Sequence, residues 1–139
     1  MEQLEKKFHT TQKALASLKK SIEQFNEYKK SGDTQYIDNL RDSIIKRFEF
    51  SLELTWKYLK TYLETKVGIK FEYQGPKPTF RYALKSEIIT EDEAAQAIEM
   101  LNCRNLTSHM YQEEVANQIT KQIPEFYQLM QNITEKTKP

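Results

Sequence analysis

The sequence has little of what disulfide-bonded and metal-binding proteins need. It contains one cysteine, Cys103, and two histidines, His9 and His109, among 139 residues. A single cysteine excludes an internal disulfide and a thiolate-rich zinc site, and the two histidines lie far apart in the chain. We therefore expect neither a metal ion nor a cofactor.

Long apolar runs and a large net charge are also missing. No segment approaches the roughly 18 apolar residues of a membrane span, and residues 1–10 carry charges throughout, unlike a signal peptide. We therefore expect a cytoplasmic protein that does not associate with membranes. The 21 basic and 20 acidic residues leave a net charge of +1, so the chain has no general attraction for nucleic acid. Any phosphate-binding site must be local.

Residues that interrupt helices are few. The chain has 3 glycines and 4 prolines, whereas 29% of its residues are charged. Leu, Lys, Glu and Gln fill long stretches, and this composition favours an all-α fold. At this length we expect a single helical-bundle domain spanning residues 1–139, with the last few C-terminal residues frayed.

The spacing of apolar residues predicts two long helices in the first half of the chain. Steps of four and three predict a first helix over residues 4–30, ended by a left-handed cap at Gly32. A second apolar stripe predicts a helix over roughly residues 36–67, with Gly68 as its C-cap.

A loop and a short helix are predicted next. Residues 69–77 contain Gly75 and Pro76 and are predicted to form the one long loop, with a short extended piece. Pro78 fits the first turn of a short helix over residues 79 to about 87, because proline is tolerated at the start of a helix.

Two more helices complete the expected fold. Thr90 and Glu93 match a capping box, in which each side chain binds a backbone amide, so a fourth helix should start near Glu91. The last helix is predicted over about residues 110–133, and Pro124 should force a kink or a restart within it.

Between these two helices, eight consecutive residues carry a guanidinium, an amide, an imidazole and a phenol. The groups belong to Arg104, Asn105, His109 and Tyr111. Arginine can hold a phosphate with two parallel hydrogen bonds, and a histidine titrating near neutral pH can move a proton. The pattern indicates phosphate-ester chemistry or nucleotide binding, and ordinary helix-surface residues are the alternative interpretation.

The geometry of this segment decides what it can do. On an unbroken helix Arg104 and His109 would point roughly 140° apart, too divergent to hold one small group. Thr107 and Ser108 are weak helix formers, so a bend between the two groups is plausible. If they converge, His109 as general base and Arg104 as charge stabiliser would suit metal-independent RNA cleavage.

The segment resembles the signature of the HEPN superfamily, in which Arg and a polar residue are followed by His and, two positions later, Tyr. The whole string from Arg104 to Tyr111 is similar to the nucleotidyltransferase substrate-binding, HepT-like branch of that superfamily. Residues 47–60 resemble the second-helix pattern of the same branch, and Arg81, Ala83 and Ile89 agree with its short third helix. The resemblance covers about residues 40–124.

Several expectations follow from this resemblance. It implies an antiparallel up-and-down bundle of four main helices plus a short helix, which forms a homodimer and is encoded beside a minimal nucleotidyltransferase. In the related toxins, the partner silences an RNase by adding AMP to the motif tyrosine. The implied catalytic or nucleotide-facing residues are Arg104 and His109, with Asn105 as an auxiliary polar group and Tyr111 as the candidate AMP acceptor.

The sequence also departs from the branch at a few positions. Ala97 stands where an aromatic residue is expected, Gln112 follows Tyr111 where an acid is usual, and Glu87 replaces an expected glycine. No departure removes a motif residue. These departures affect the surface expected to meet the partner protein and the charge around the motif residues.

Two functional hypotheses use the same residues. The first is a dimeric subunit that pairs with a minimal nucleotidyltransferase as its substrate-binding or target partner, in a toxin–antitoxin-like system. The second is a metal-independent endoribonuclease toxin that uses Arg104 and His109 and is silenced at Tyr111. Lys57 belongs to a basic group on the second helix that either binds nucleotide or RNA or is simply a solvated helix face. The near-neutral net charge favours the first hypothesis.

Overall fold

The computed structural model describes residues 2–139, which form five α-helices and no strand. The all-α prediction is confirmed. The helices are α1 (Glu2–Lys30), α2 (Ile37–Tyr62), α3 (Pro76–Lys85), α4 (Glu91–Leu106) and α5 (Glu113–Lys136). A π-helical turn (Leu63–Val67) extends α2, and a 3₁₀ turn (Thr107–His109) follows α4.

The first two helices pack antiparallel along most of their length. In the hydrogen bonds between them, the residue number increases along α1 while that of its partner decreases along α2. The bonded pairs are Lys7 with Thr61, Ala14 with Ser51 and Ser17 with Arg47. The connection of only six residues between α1 and α2 is consistent with antiparallel neighbours.

The other long helices complete an up-and-down bundle. Helix α5 runs parallel to α2, because the pairs Arg41–Asn117 and Tyr58–Thr137 rise together along both helices. It runs antiparallel to α4, whose Gln96 and Glu93 bind Glu125 and Lys136. The predicted bundle of four main helices with one short additional helix is therefore confirmed.

Apolar side chains from all five helices form the main core, and Leu4, Phe8 and Tyr58 form a smaller cluster. Phe48 of α2 stacks on Phe126 of α5 with ring centroids 5.8 Å apart, and both rings are buried. On α4 the buried positions include Met100, which the spacing did not indicate, whereas Ala94 and Ile98 are half-buried. Burial of this continuous surface is the main force that holds the helices together.

The turns between helices follow the predicted chemistry. Gly32 and Gly68 adopt positive φ angles of 80° and 85°, the left-handed conformation expected of helix C-caps. Thr90 and Glu93 form the predicted capping box at the start of α4. Glu87 also has a positive φ, 62°, which is the conformation that glycine adopts most easily.

The predicted start of α3 is wrong. The helix begins at Pro76 and ends at Lys85, with Gly75 as its N-cap at φ 119°. Pro78 is therefore the third helical residue rather than the first. Prolines fit at both positions because the first turn has no intrahelical acceptors for its amides, and the regular bonding begins when Thr79 donates to the Gly75 carbonyl. The preceding residues form a loop without a strand.

The last helix also differs from expectation at its start and within it. Gln112 is extended and α5 begins at Glu113 rather than near residue 110. The helix then continues through Pro124 without a restart. Pro124 is exposed, so the hydrogen bond that it cannot make is lost on the solvent side of the helix.

The end of the chain is fixed by α2. Thr137 follows α5, is buried, and its carbonyl accepts a hydrogen bond from the Tyr58 hydroxyl. Burial raises the pKa of Tyr58 to about 12, against the opposing effect of this hydrogen bond. Fraying of the C-terminus remains an expectation for the two residues beyond Thr137.

Across residues 2–139, no helix combines the length and the apolarity that a membrane crossing requires.

Candidate functional site

The middle of α2 presents an acidic residue that binds its own helical neighbours. Glu53 accepts a hydrogen bond from the Trp56 indole at 3.1 Å and forms an ion pair with Lys57 at 3.0 Å. The three residues lie on one face because positions three and four apart are neighbours on a helix. Lys57, a predicted binding residue, is therefore already partnered by a carboxylate.

Arg104 reaches the same carboxylate from the last turn of α4. Its Nη2 lies 3.6 Å from Glu53 Oε2, and its side chain is 42% exposed. Its Nε atom is buried and has no hydrogen-bond partner within the described part of the chain. Since an arginine side chain carries five N–H donors, this single long ion pair leaves the guanidinium with unused hydrogen-bonding capacity.

The surroundings of Glu53 keep it ionised. Partial burial raises its pKa, but the hydrogen bonds from Lys57 and Trp56 and the charges of Lys57 and Arg104 outweigh that effect. The net result is a pKa below the ordinary value of 4.5. Glu53 is therefore a fixed negative charge that connects Lys57 and Arg104 at neutral pH.

The helix breaks where the weak helix formers predicted a bend. After Leu106 the chain forms the 3₁₀ turn Thr107–His109. The Thr107 hydroxyl donates to the Arg104 carbonyl at 2.7 Å, and the Ser108 hydroxyl donates to the Asn105 carbonyl at 3.3 Å. These hydroxyls bind carbonyls at the end of α4, where intrahelical donors run out.

His109, the last residue of this turn, and Tyr111, which follows it, face solvent. Their ring centroids are 6.1 Å apart, and Tyr111 is 78% exposed. The Gln112 amide donates to the Tyr111 hydroxyl at 3.3 Å. The phenol oxygen is thus at the surface, beside an imidazole and available to a second protein.

The structure brings some of the predicted site residues together and leaves others apart. Glu53 connects Arg104 to Lys57, and Asn105 lines the same cleft as Arg104. Within residues 2–139, no hydrogen bond or ion pair connects Arg104 to His109. Asn105 therefore lies with Arg104 at one cleft, and His109 lies beside Tyr111 at the solvent-exposed end of the segment.

A cleft of about 270 Å³ adjoins Arg104 and Asn105. It lies between the turn before α3 and the end of α4, and is lined by Gln74, Gly75, Pro76, Lys77, Pro78, Leu101, Arg104 and Asn105. The sequence did not indicate that residues 74–78 belong to the site. Glu53 and Trp56 were also missed as site residues, although the four-residue step from Glu53 to Lys57 is a readable signal.

Nucleophilic cysteine chemistry and metal binding receive no support from this geometry. Cys103 is buried, and burial raises the pKa of its thiol to about 11. A thiol held in its protonated form is a poor nucleophile and a poor metal ligand. Residues 2–139 bring no three His, Cys, Asp or Glu side chains together as a metal site would need.

Comparison with known proteins assigns the family. Residues 6–139 match a family described as nucleotidyltransferase substrate binding protein like. The chain belongs to this family. The resemblance inferred from the motifs at residues 47–60 and 104–111 is confirmed at that level.

Solved structures share the fold of this chain. A protein of Thermus thermophilus is 33% identical, with a TM-score of 0.79 over 93% of this chain and 99% of its own. The Haemophilus influenzae protein HI0074 is 24% identical, with a TM-score of 0.81 over 94% and 98%. HI0074 has been reported to show the fold of a substrate binding domain of a nucleotidyltransferase. No curated protein matches the sequence significantly.

Proposed function

We propose that this protein is a dimeric subunit that pairs with a minimal nucleotidyltransferase as its substrate-binding or target partner. The family match over residues 6–139 is the observation that carries the proposal. The partner would be a small separate protein, in a two-component system of the toxin–antitoxin kind with a HEPN-type helical subunit. The near-neutral charge agrees with a protein partner more than with bulk RNA binding.

Tyr111 is the proposed acceptor of an AMP group. Its phenol oxygen would attack the α-phosphorus of ATP held by the partner, forming a phosphodiester bond while pyrophosphate leaves and the phenol proton passes to solvent or base. The 78% exposure of Tyr111 supports this role, because the acceptor must enter the active site of another protein. Arg104, Asn105, His109 and Lys57 are the proposed nucleotide-facing residues; His109 lies beside Tyr111, and Glu53 connects Arg104 to Lys57.

Mass spectrometry of the protein after incubation with its partner and ATP tests this proposal. We expect one AMP group per chain on Tyr111 and none in the Tyr111→Phe variant. Tyr73→Phe is the matched control, because Tyr73 is a similarly exposed tyrosine, at 69%, outside the motif. Modification of a residue other than Tyr111 would contradict the acceptor role, and failure to form a complex with any nucleotidyltransferase would contradict the pairing.

The endoribonuclease hypothesis is tested separately, with the purified protein, RNA and EDTA. A chain that acts as a partner subunit should leave the RNA intact. Robust cleavage that His109→Ala abolishes would instead assign the motif a catalytic role in RNA cleavage.

A further inference from the structure

The exposed side of α1 that borders α2 carries cations and no acidic residue. Alternating steps of four and three residues place the members of a row on one side of a helix. Along residues 6–24 this row consists of Lys6, Thr10, Lys13, Ser17, Lys20 and Gln24, all of them exposed. Its three lysines form no ion pair within residues 2–139. Their charges are therefore available to a partner.

A matching row of α2 borders the same groove. It consists of Ser43, Arg47, Phe50, Leu54, Lys57 and Thr61. Arg47 Nε donates to the Ser17 hydroxyl at 2.9 Å, so the two rows are neighbours. Lys7 Nζ donates to the Thr61 hydroxyl at 3.0 Å across the same groove. Phe50, near the middle of the row, is 61% exposed. The row adds two cations and an aromatic ring, again without an acidic residue.

The cations of the two rows and of the groove form a basic face on a chain whose net charge is only +1. The basic face consists of Lys6, Lys7, Lys13, Lys20, Arg47 and Lys57. Only Lys57 among them forms an ion pair within residues 2–139. Two depressions of about 210 and 410 Å³ lie along the groove, and no Asp or Glu lines either one. A surface with charges of one sign attracts a partner of the opposite sign.

Two possible occupants fit the basic face poorly. A second copy of this chain in a two-fold contact would place one basic face against another, and like charges repel. The proposed homodimer therefore needs another surface. Proteins that bind single-stranded nucleic acid stack successive bases on aromatic side chains. Phe50 is the one exposed aromatic residue in the two described rows, so it cannot provide such a series.

The basic face is continuous with the motif at the end of α4. Lys57 pairs with Glu53 at 3.0 Å, and Glu53 contacts Arg104 at 3.6 Å. A nucleotidyltransferase that receives Tyr111 in its active site has to cover surface near the motif. A docking surface that adjoins the motif suits such a partner.

We propose that the basic face docks an acidic surface of the nucleotidyltransferase partner. The identity of the partner rests on the proposed function, whereas its acidic chemistry follows from the charges of the face. The lysines pair with carboxylates of the partner, and Phe50 packs against an apolar side chain between them. This arrangement, an apolar contact with a charged rim, is common in interfaces between proteins.

Calorimetric titration of the full-length protein with its nucleotidyltransferase partner tests this assignment. Lys20→Glu should weaken the complex about tenfold, because it places like charges against each other. Lys19→Glu is the matched control. Lys19 is the adjacent exposed lysine of α1 and lines neither depression, so its substitution should change the affinity less than about twofold.

Salt provides a second measurement on the same complex. Raising the ionic strength from about 0.05 to about 0.5 M should weaken the wild-type complex more than the Lys20→Glu complex, because exposed charges are screened. Equal salt dependence of the two would contradict docking by charge.

The outcomes separate the docking assignment from the proposed function. Equal partner affinity of Lys20→Glu and Lys19→Glu would overturn the docking assignment, while the pairing itself would stand. No complex with the wild-type protein would overturn both. Fluorescent oligouridine is the further probe. If Lys20→Glu weakens oligouridine binding but leaves partner binding unchanged, the basic face binds RNA and the docking assignment is wrong.

Discussion

Two arginines of this protein contact acidic residues of α2 and differ in almost everything else. Arg41 is 8% exposed, and its Nε and Nη1 contact Asp42, Asp38 and Asn117 at 3.2 to 3.3 Å. Arg104 is 42% exposed at its side chain and has one carboxylate neighbour, Glu53, at 3.6 Å. The first arginine connects α2 to α5, while the second faces an open cleft.

The difference separates a structural arginine from one that we propose to bind a ligand. Burying a guanidinium is costly unless several partners replace its water, and Arg41 has three such partners. The side chain of Arg104 is partly exposed and keeps part of its hydration, so its ion pair contributes little to the folded state and the exposed part of the guanidinium remains accessible to a ligand. On this account Arg41 should affect stability and Arg104 should affect binding.

Arg41→Met should have the largest effect on stability. The substitution keeps most of the volume but leaves Asn117 without its guanidinium partner and two aspartates without a cation. We expect the free energy of unfolding to fall by about 2 kcal/mol, a moderate value because Asp38 and Asp42 are partly solvated. Urea denaturation measures this free energy. A loss below about 0.5 kcal/mol would show that Arg41 is not the structural arginine that this comparison requires.

Arg104→Met should change stability less. Its ion pair with Glu53 is long and partly solvated, and such pairs contribute up to about 1 kcal/mol. The same denaturation experiment should therefore show a loss under about 1 kcal/mol for this variant. A loss equal to that of Arg41→Met would mean that Arg104 is also a structural residue.

Glu53→Gln should have the smallest effect on stability, present near neutral pH and absent at acidic pH. The folded-state pKa of Glu53 lies below 4.5, so its contribution to stability is present above that pH and is lost as the pH falls through the lowered pKa. The variant should lose less stability than the wild type when the pH falls from about 5 to about 3.

Glu99→Gln is the control for this pH profile. Glu99 is an exposed glutamate of α4 that has no ion pair in the described part of the chain. Its substitution should leave the profile unchanged. If Glu53→Gln and Glu99→Gln give the same profile, the Glu53 network does not form in solution.

Much of the fold was predictable because the information is local. The apolar period of α1 and α2, the caps at Gly32 and Gly68 and the capping box at Thr90 each depend on residues within a few turns. The errors occur where two local rules compete. Pro78 fits the first position of a helix, but Gly75 and Pro76 start the same helix two residues earlier.

The site was predictable only in part. The motif spacing indicated Arg104, Asn105, His109 and Tyr111 as candidates, and the weak helix formers Thr107 and Ser108 predicted the helix break, which is confirmed. The contact of Arg104 with Glu53, and the cleft that it shares with residues 74–78, depend on how α4 lies against α2 and the loop before α3. Contacts between distant segments have no signature in the local spacing of one sequence.

Calorimetric titration of ATP into Arg104→Met and Arg41→Met, each under conditions where circular dichroism shows it folded, tests the division of tasks most directly. Arg104→Met should bind ATP at least tenfold more weakly than the wild type, because the guanidinium is the proposed partner of the phosphate oxygens. Arg41→Met should bind ATP like the wild type in spite of its lower stability. Retained ATP binding in Arg104→Met would contradict the account.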